Sequence, residues 1–107
     1  MGRKPVVHRR LAEDDIDRAI AYYVKEAGPA VATDFVSQLE SAVQQISKHP
    51  AMGSPRYALE LQISGLRQVP LKSFPYLVFY IEHEKFIEVT RVLHGNMDLP
   101  SWVEGDI

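Results

Sequence analysis

The dipeptide Gly28-Pro29 sits between two stretches of helical periodicity, and no other feature of the sequence restricts the fold as strongly. On its N-terminal side Ile16, Ala19, Ile20, Tyr23, Val24 and Ala27 follow the i, i+3, i+4, i+7 spacing that gathers residues on one helical face. On its C-terminal side Val31, Phe35, Leu39, Ala42, Val43 and Ile46 do the same, up to Lys48-His49-Pro50. Glycine accepts the left-handed backbone that caps a helix, and proline suits the first position of the next one. Two amphipathic helices joined so tightly are expected to fold back as an antiparallel hairpin. Glu13, Asp14, Asp15 and Asp17 read as a solvated start to the first helix, where the helix dipole favours negative charge, with Lys25 in its last turn.

The hairpin needs a second layer, and the rest of the chain supplies it. Val6 to Arg10, behind Pro5, suits a short first strand. His49 to Gln62 holds Pro50, Gly53 and Pro55 and reads as a loop with one turn of helix around Tyr57 to Leu61. After Gly65 the pattern is β. Leu66 to Leu71 forms a strand that Pro70 confines to an edge or bulge. Pro75 to Glu82 is a dense apolar and aromatic run, as in a central strand with both faces covered. His83, Glu84 and Lys85 turn the chain into the β-branched Phe86 to Leu93. The expected fold is α+β: an N-terminal strand, then an antiparallel helical hairpin packed on a small, mostly antiparallel sheet, in the order β-α-α-β-β-β. A length of 107 residues suits a single domain over 1–107, with about 96–107 as a C-terminal tail.

Several function classes fall away. The absence of cysteine removes thiolate chemistry and disulfides and fits a reducing compartment. No apolar run approaches the roughly 18 residues of a membrane span, and the basic N-terminus lacks the apolar stretch of a signal peptide. A cytoplasmic protein with no membrane partner is expected. The net charge of −2 does not suit a chain that grips phosphates, and from Val92 to Ile107 there is no Lys or Arg, only the acids Asp98, Glu104 and Asp106. No phosphate loop, dinucleotide fingerprint or Ser-His-Asp pattern is present, and Gly53-Ser54-Pro55 is a turn. His8, His49 and His83 lack metal-ligand spacing, so neither metal nor cofactor is expected.

Against that frame certain fragments are specific in combination. Lys48-His49-Pro50-Ala51-Met52-Gly53 resembles the "HP.MG" close of the second helix in ParE-like toxins of the ParE/RelE superfamily. Gly65-Leu66-Arg67 resembles the "GLR" opening of the next strand, Tyr76-Leu77-Val78-Phe79-Tyr80 the "Y.V.Y" strand, and Arg91-Val92-Leu93-His94-Gly95 the terminal "RVLHG". The likeness runs from about Val7 to about Pro100. It implies the toxin of a type II toxin–antitoxin pair, a plasmid-stabilisation type of system. Such a toxin forms a hetero-oligomer with a cognate ParD-like antitoxin and touches operator DNA only through it. Within the superfamily, ParE-like members poison DNA gyrase and lack the nuclease residues, whereas RelE-like members cut mRNA on the ribosome. The alternatives to a gyrase-binding toxin are a ribosome-dependent endoribonuclease and a family member that binds its antitoxin but poisons nothing.

A metal-independent nuclease needs a proton acceptor, a proton donor and cations for the phosphorane charge. The candidates here are Arg67, Tyr80, Arg91 and His94, but the further basic residues of RelE-like nucleases are replaced by Asn96, Met97 and Asp98. Each candidate has a structural reading beside the functional one. Arg67 pairs with Glu88 across the sheet or binds a phosphate or partner. Arg91, in an apolar strand, is either an internal ion pair or a recognition residue. His94 caps a strand end or moves a proton. Tyr22, Tyr23, Tyr76, Phe79 and Tyr80 read as core or half-core aromatics with hydroxyls at the rim. Leu99 and Trp102 are either anchors for a partner or docked on the chain's own core. A sheet with helices on one face should leave its other face and an edge strand for target or antitoxin.

Overall fold

The computed structural model describes residues 3–95. Its elements are β1 (Val6–His8), α1 (Arg10–Ala27), α2 (Pro29–Lys48), a 3-10 turn (Pro50–Met52), α3 (Arg56–Leu61), β2 (Leu66–Pro70), β3 (Tyr76–Glu82) and β4 (Ile87–His94). The helical junction forms as the sequence predicts. Gly28 has φ +95°, and its N–H donates to the carbonyls of Tyr23 at 2.9 Å and Val24 at 3.2 Å. Pro29 then opens α2, where a missing N–H costs nothing.

The sheet order is β1-β4-β3-β2, antiparallel throughout except that β1 runs parallel to β4. This is the expected α+β arrangement, with the apolar run of β3 in a central position. The helical hairpin covers one face. Phe35 and Ile46 of α2 and Ala12 of α1 are fully buried against Val78, Tyr80, Ile87 and Val89, and complete burial of each large side chain contributes about 1.5–3 kcal/mol. Tyr23, Phe35, Phe74 and Tyr76 form a ring cluster with centroids 5.0–6.1 Å apart. Two members of the predicted aromatic and apolar faces point outward instead: Tyr22 and Val24 are exposed.

The opposite face is not left bare, which corrects one expectation. The segment read as a loop with one helical turn is α3, and it lays Leu61, Tyr57 and Ala58 over Leu66, Phe79 and Leu93. The β2 edge is partly covered as well. Gln68 exchanges both backbone hydrogen bonds with Ser54, the Leu66 N–H donates to the Ile63 carbonyl, and Pro70 has no N–H to offer. In the interior, β4 carries a bulge: Phe79 opposes Arg91 while Tyr80 opposes Val89, so Thr90 is the extra residue. Its hydroxyl donates to the Phe79 carbonyl at 3.3 Å.

Candidate functional site

Arg67 and Tyr80 face each other across β2 and β3, and both are turned to one task. The Tyr80 hydroxyl donates to the Pro50 carbonyl at 2.7 Å and accepts from the Gly53 N–H at 2.9 Å. The Arg67 guanidinium donates to the carbonyls of Gly53 at 2.7 Å and Ala51 at 3.3 Å. Together they clasp the turn that follows α2. A methyl group on Gly53 would lie 2.5 Å from the Tyr80 oxygen, so only glycine fits. Burial pushes the Tyr80 phenol above its ordinary pKa, outweighing the Gly53 hydrogen bond and the Arg67 charge that pull it down. Such a group stays protonated. Tyr80 is fully buried rather than at a rim. The expected Arg67–Glu88 pair does not form, because β3 separates β2 from β4. Glu88 instead accepts from Arg9 at 3.0 Å and meets His83 at 2.8 Å.

The second polar centre joins α1 to β4. Asp15, read from sequence as part of a solvated acidic start, is buried, with its carboxylate gripped by Arg91 through Nε at 2.7 Å and Nη2 at 2.8 Å. Arg18 adds a contact at 2.7 Å, and the Val92 N–H donates to the same carboxylate at 3.0 Å. The last of these has a topological cause. Beside β1, the β4 backbone pairs with Pro5 and Arg9. After the bulge β1 has ended, and the Asp15 side chain supplies the acceptor that a neighbouring strand would have given. The signal was present in the spacing: of the four acids only Asp15 stands three residues after Ala12 and four before Ala19, both buried. Arg91 thus takes the internal ion-pair reading. His94 lies opposite Tyr76, with ring centroids 5.2 Å apart, and borders a small cleft of about 180 Å³ with Arg18 and Tyr22. Leu99 and Trp102 lie outside the described residues.

The candidate set is therefore distributed, not assembled. Arg67 and Tyr80 hold a turn, Arg91 holds a helix, and His94 sits at the strand end. A different surface presents a continuous recess. Between β1 and the two long helices runs a groove of about 560 Å³, floored by Ile16, Val36, Leu39 and Val43 and bordered by His8 and Glu40. Glu13 and Asp17 extend it past His8. Sequence reasoning placed Ile16, Leu39 and Val43 on the apolar helical faces, left out Val36, and did not foresee the recess they line. Among the described residues no group of three or more His, Asp or Glu side chains is placed to hold a metal ion. No described helix is long and apolar enough to cross a membrane.

Comparison with known proteins adds four findings. A family model described as the ParE toxin of the type II toxin–antitoxin system parDE matches residues 6–99. The chain is 32% identical over 95 residues to Toxin ParE1 of Caulobacter vibrioides, covering 89% of this chain and 93% of that one. It is 26% identical over 100 residues to Putative toxin Y4kP of Sinorhizobium fredii, covering 94% and 97%. Among solved structures, one described as the chromosomal ParDE TA system from P. aeruginosa superposes with a TM-score of 0.73 at 21% identity, over 86% of this chain and 96% of that one. At that identity the likeness is one of fold.

Proposed function

The chain belongs to the ParE family of toxins of type II toxin–antitoxin systems, and on that footing we propose that it acts by binding a protein target rather than by cutting RNA. The target, by family resemblance, is DNA gyrase, and a cognate antitoxin neutralises the toxin. The observation that carries this reading is the fate of the polar side chains on the terminal strands. Tyr80 is 0% exposed and Arg91 1% exposed, and their polar atoms are engaged by Pro50, Gly53 and Asp15. A nuclease needs a cation and a proton carrier open to substrate at one point, and these two residues serve the fold instead. Among the described residues, an apolar-floored groove with an acidic border on the helical hairpin is open to a macromolecule. Recesses of this kind commonly receive a partner segment.

A supercoiling assay with purified gyrase tests the target. Saturating protein should halt the introduction of supercoils, and supercoiling at the normal rate would remove gyrase from the reading. Neutralisation is tested separately by adding the small protein encoded beside the toxin, which should restore supercoiling.

A further inference from the structure

The turn that follows α2 is held more firmly than a connection requires, and it presents an apolar side chain to solvent. Of the five carbonyls from His49 to Gly53, four are taken: His49 by the Met52 N–H at 3.0 Å, Pro50 by Tyr80, and Ala51 and Gly53 by Arg67. The Pro50 ring fixes φ at the start of the turn, and Gly53 closes it against the Tyr80 hydroxyl. Met52, between them, is 48% exposed. It borders a cleft of about 270 Å³ that separates Ala42 and Gln45 of α2 from Val69 and Leu71 at the end of β2. A lone exposed apolar residue is ordinary. One fixed at the mouth of a cleft is already oriented, so less conformational freedom is lost when a partner arrives.

The surroundings of Met52 are cationic. Lys72 lines the cleft, Lys48 stands one helical turn beyond Gln45, and Arg67 reaches the carbonyls on either side of Met52. No Asp or Glu lines the cleft, and Lys48, Arg67 and Lys72 form no ion pair among the described residues. The hairpin groove has the opposite sign, with Glu13, Asp17 and Glu40 along its border. An apolar recess rimmed by cations complements an apolar side chain flanked by carboxylates. A phosphate backbone is the poorer fit, because it has nothing apolar to set against Met52, Ala42 and Val69 and the chain carries a net charge of −2. We propose that this cleft binds an acidic segment of the protein target, with one apolar side chain of the segment against Met52 and its carboxylates against Lys48 and Lys72. This rests on the reading above, in which the toxin acts by contact with a protein target, and adds the surface and the chemistry of what it meets.

The test compares full-length variants for binding to purified gyrase and for inhibition of its supercoiling. Met52→Ser should raise the concentration needed for half inhibition by about tenfold. Met52→Leu keeps an apolar side chain and should raise it by less than about threefold. Lys48→Glu with Lys72→Glu should raise it by about tenfold or more and flatten the salt dependence of binding. Val24→Ser with Lys25→Glu makes the same kinds of change on the exposed side of α1 and should shift it by less than about twofold. Unchanged thermal midpoints would show that the variants fold. Affinity for the small protein encoded beside the toxin should stay within about threefold throughout. Wild-type potency in both Met52→Ser and the charge-reversed variant overturns the proposal and leaves gyrase as the target. Weakened binding of the neighbouring small protein, with inhibition of gyrase intact, overturns it in favour of that partner. Weakened binding of a DNA duplex by the charge-reversed variant, with wild-type potency in Met52→Ser, overturns it in favour of a nucleic acid. No inhibition by the unmodified protein defeats both this surface and the gyrase reading.

Discussion

Two polar centres lie under the same sheet, and they hold it by different physics. The Tyr80 centre is neutral at its heart: one hydroxyl, buried, gives a hydrogen bond to Pro50 and takes one from Gly53. The Asp15 centre is ionic: a carboxylate takes four hydrogen bonds, from Arg91, Arg18 and the Val92 backbone. A neutral bond exchanged for water contributes little net, about 0.5–1.5 kcal/mol, so its loss is modest. A buried ion pair also contributes little net, yet losing one partner is severe because the other charge stays desolvated. The contrast shows how Tyr80 and Arg91, catalytic candidates on paper, are each bonded within the fold. Each of these charges and hydroxyls has a demand to satisfy inside the fold before any is left for a substrate.

The largest effect should come from breaking the ionic centre on one side. Asp15→Ala should cost about 3–5 kcal/mol in urea unfolding, because the Arg91 guanidinium keeps its burial and loses its carboxylate. The double variant Asp15→Leu with Arg91→Met should be more stable than Asp15→Ala alone, since it removes both charges. If the double variant is as unstable as the single, the centre is not governed by stranded charge. Gly53→Ala comes next. Its new methyl would press on the Tyr80 hydroxyl at 2.5 Å and should cost about 1–3 kcal/mol. Tyr80→Phe alone should cost about 1–2 kcal/mol by leaving the Gly53 N–H without its acceptor. Combined with Gly53→Ala it should cost less than the sum, as the clash is partly relieved. The smallest effect belongs to the surface. Glu40→Gln should move the unfolding midpoint by less than about 0.5 kcal/mol while weakening binding of the partner.

Much of the fold was legible because local rules and tertiary structure agree. The 3.6-residue spacing on either side of Gly28-Pro29 names both helices and their junction, and the apolar density of Tyr76–Ile81 names a central strand. The resemblance fragments also acquire causes. "HP.MG" and "GLR" meet in the Tyr80 and Arg67 clasp, and the arginine of "RVLHG" meets Asp15. What was not legible needed the third dimension. Asp15 stands among acids that are solvated, and only its place between Ala12 and Ala19 sets it apart. The Arg67–Glu88 pairing failed on strand order, since a meander puts β3 between them. The covered second face was missed because the sequence shows the helical turn around Tyr57 to Leu61 but not the face of the sheet on which it packs.

The claim at the centre of this account is that the protein acts by contact, with its terminal-strand polar residues serving the fold. The most direct measurement is the integrity of mRNA in a translation extract given saturating protein. The account predicts full-length transcripts at every time point. Transcripts cleaved within codons, with cleavage abolished by His94→Ala, would contradict it.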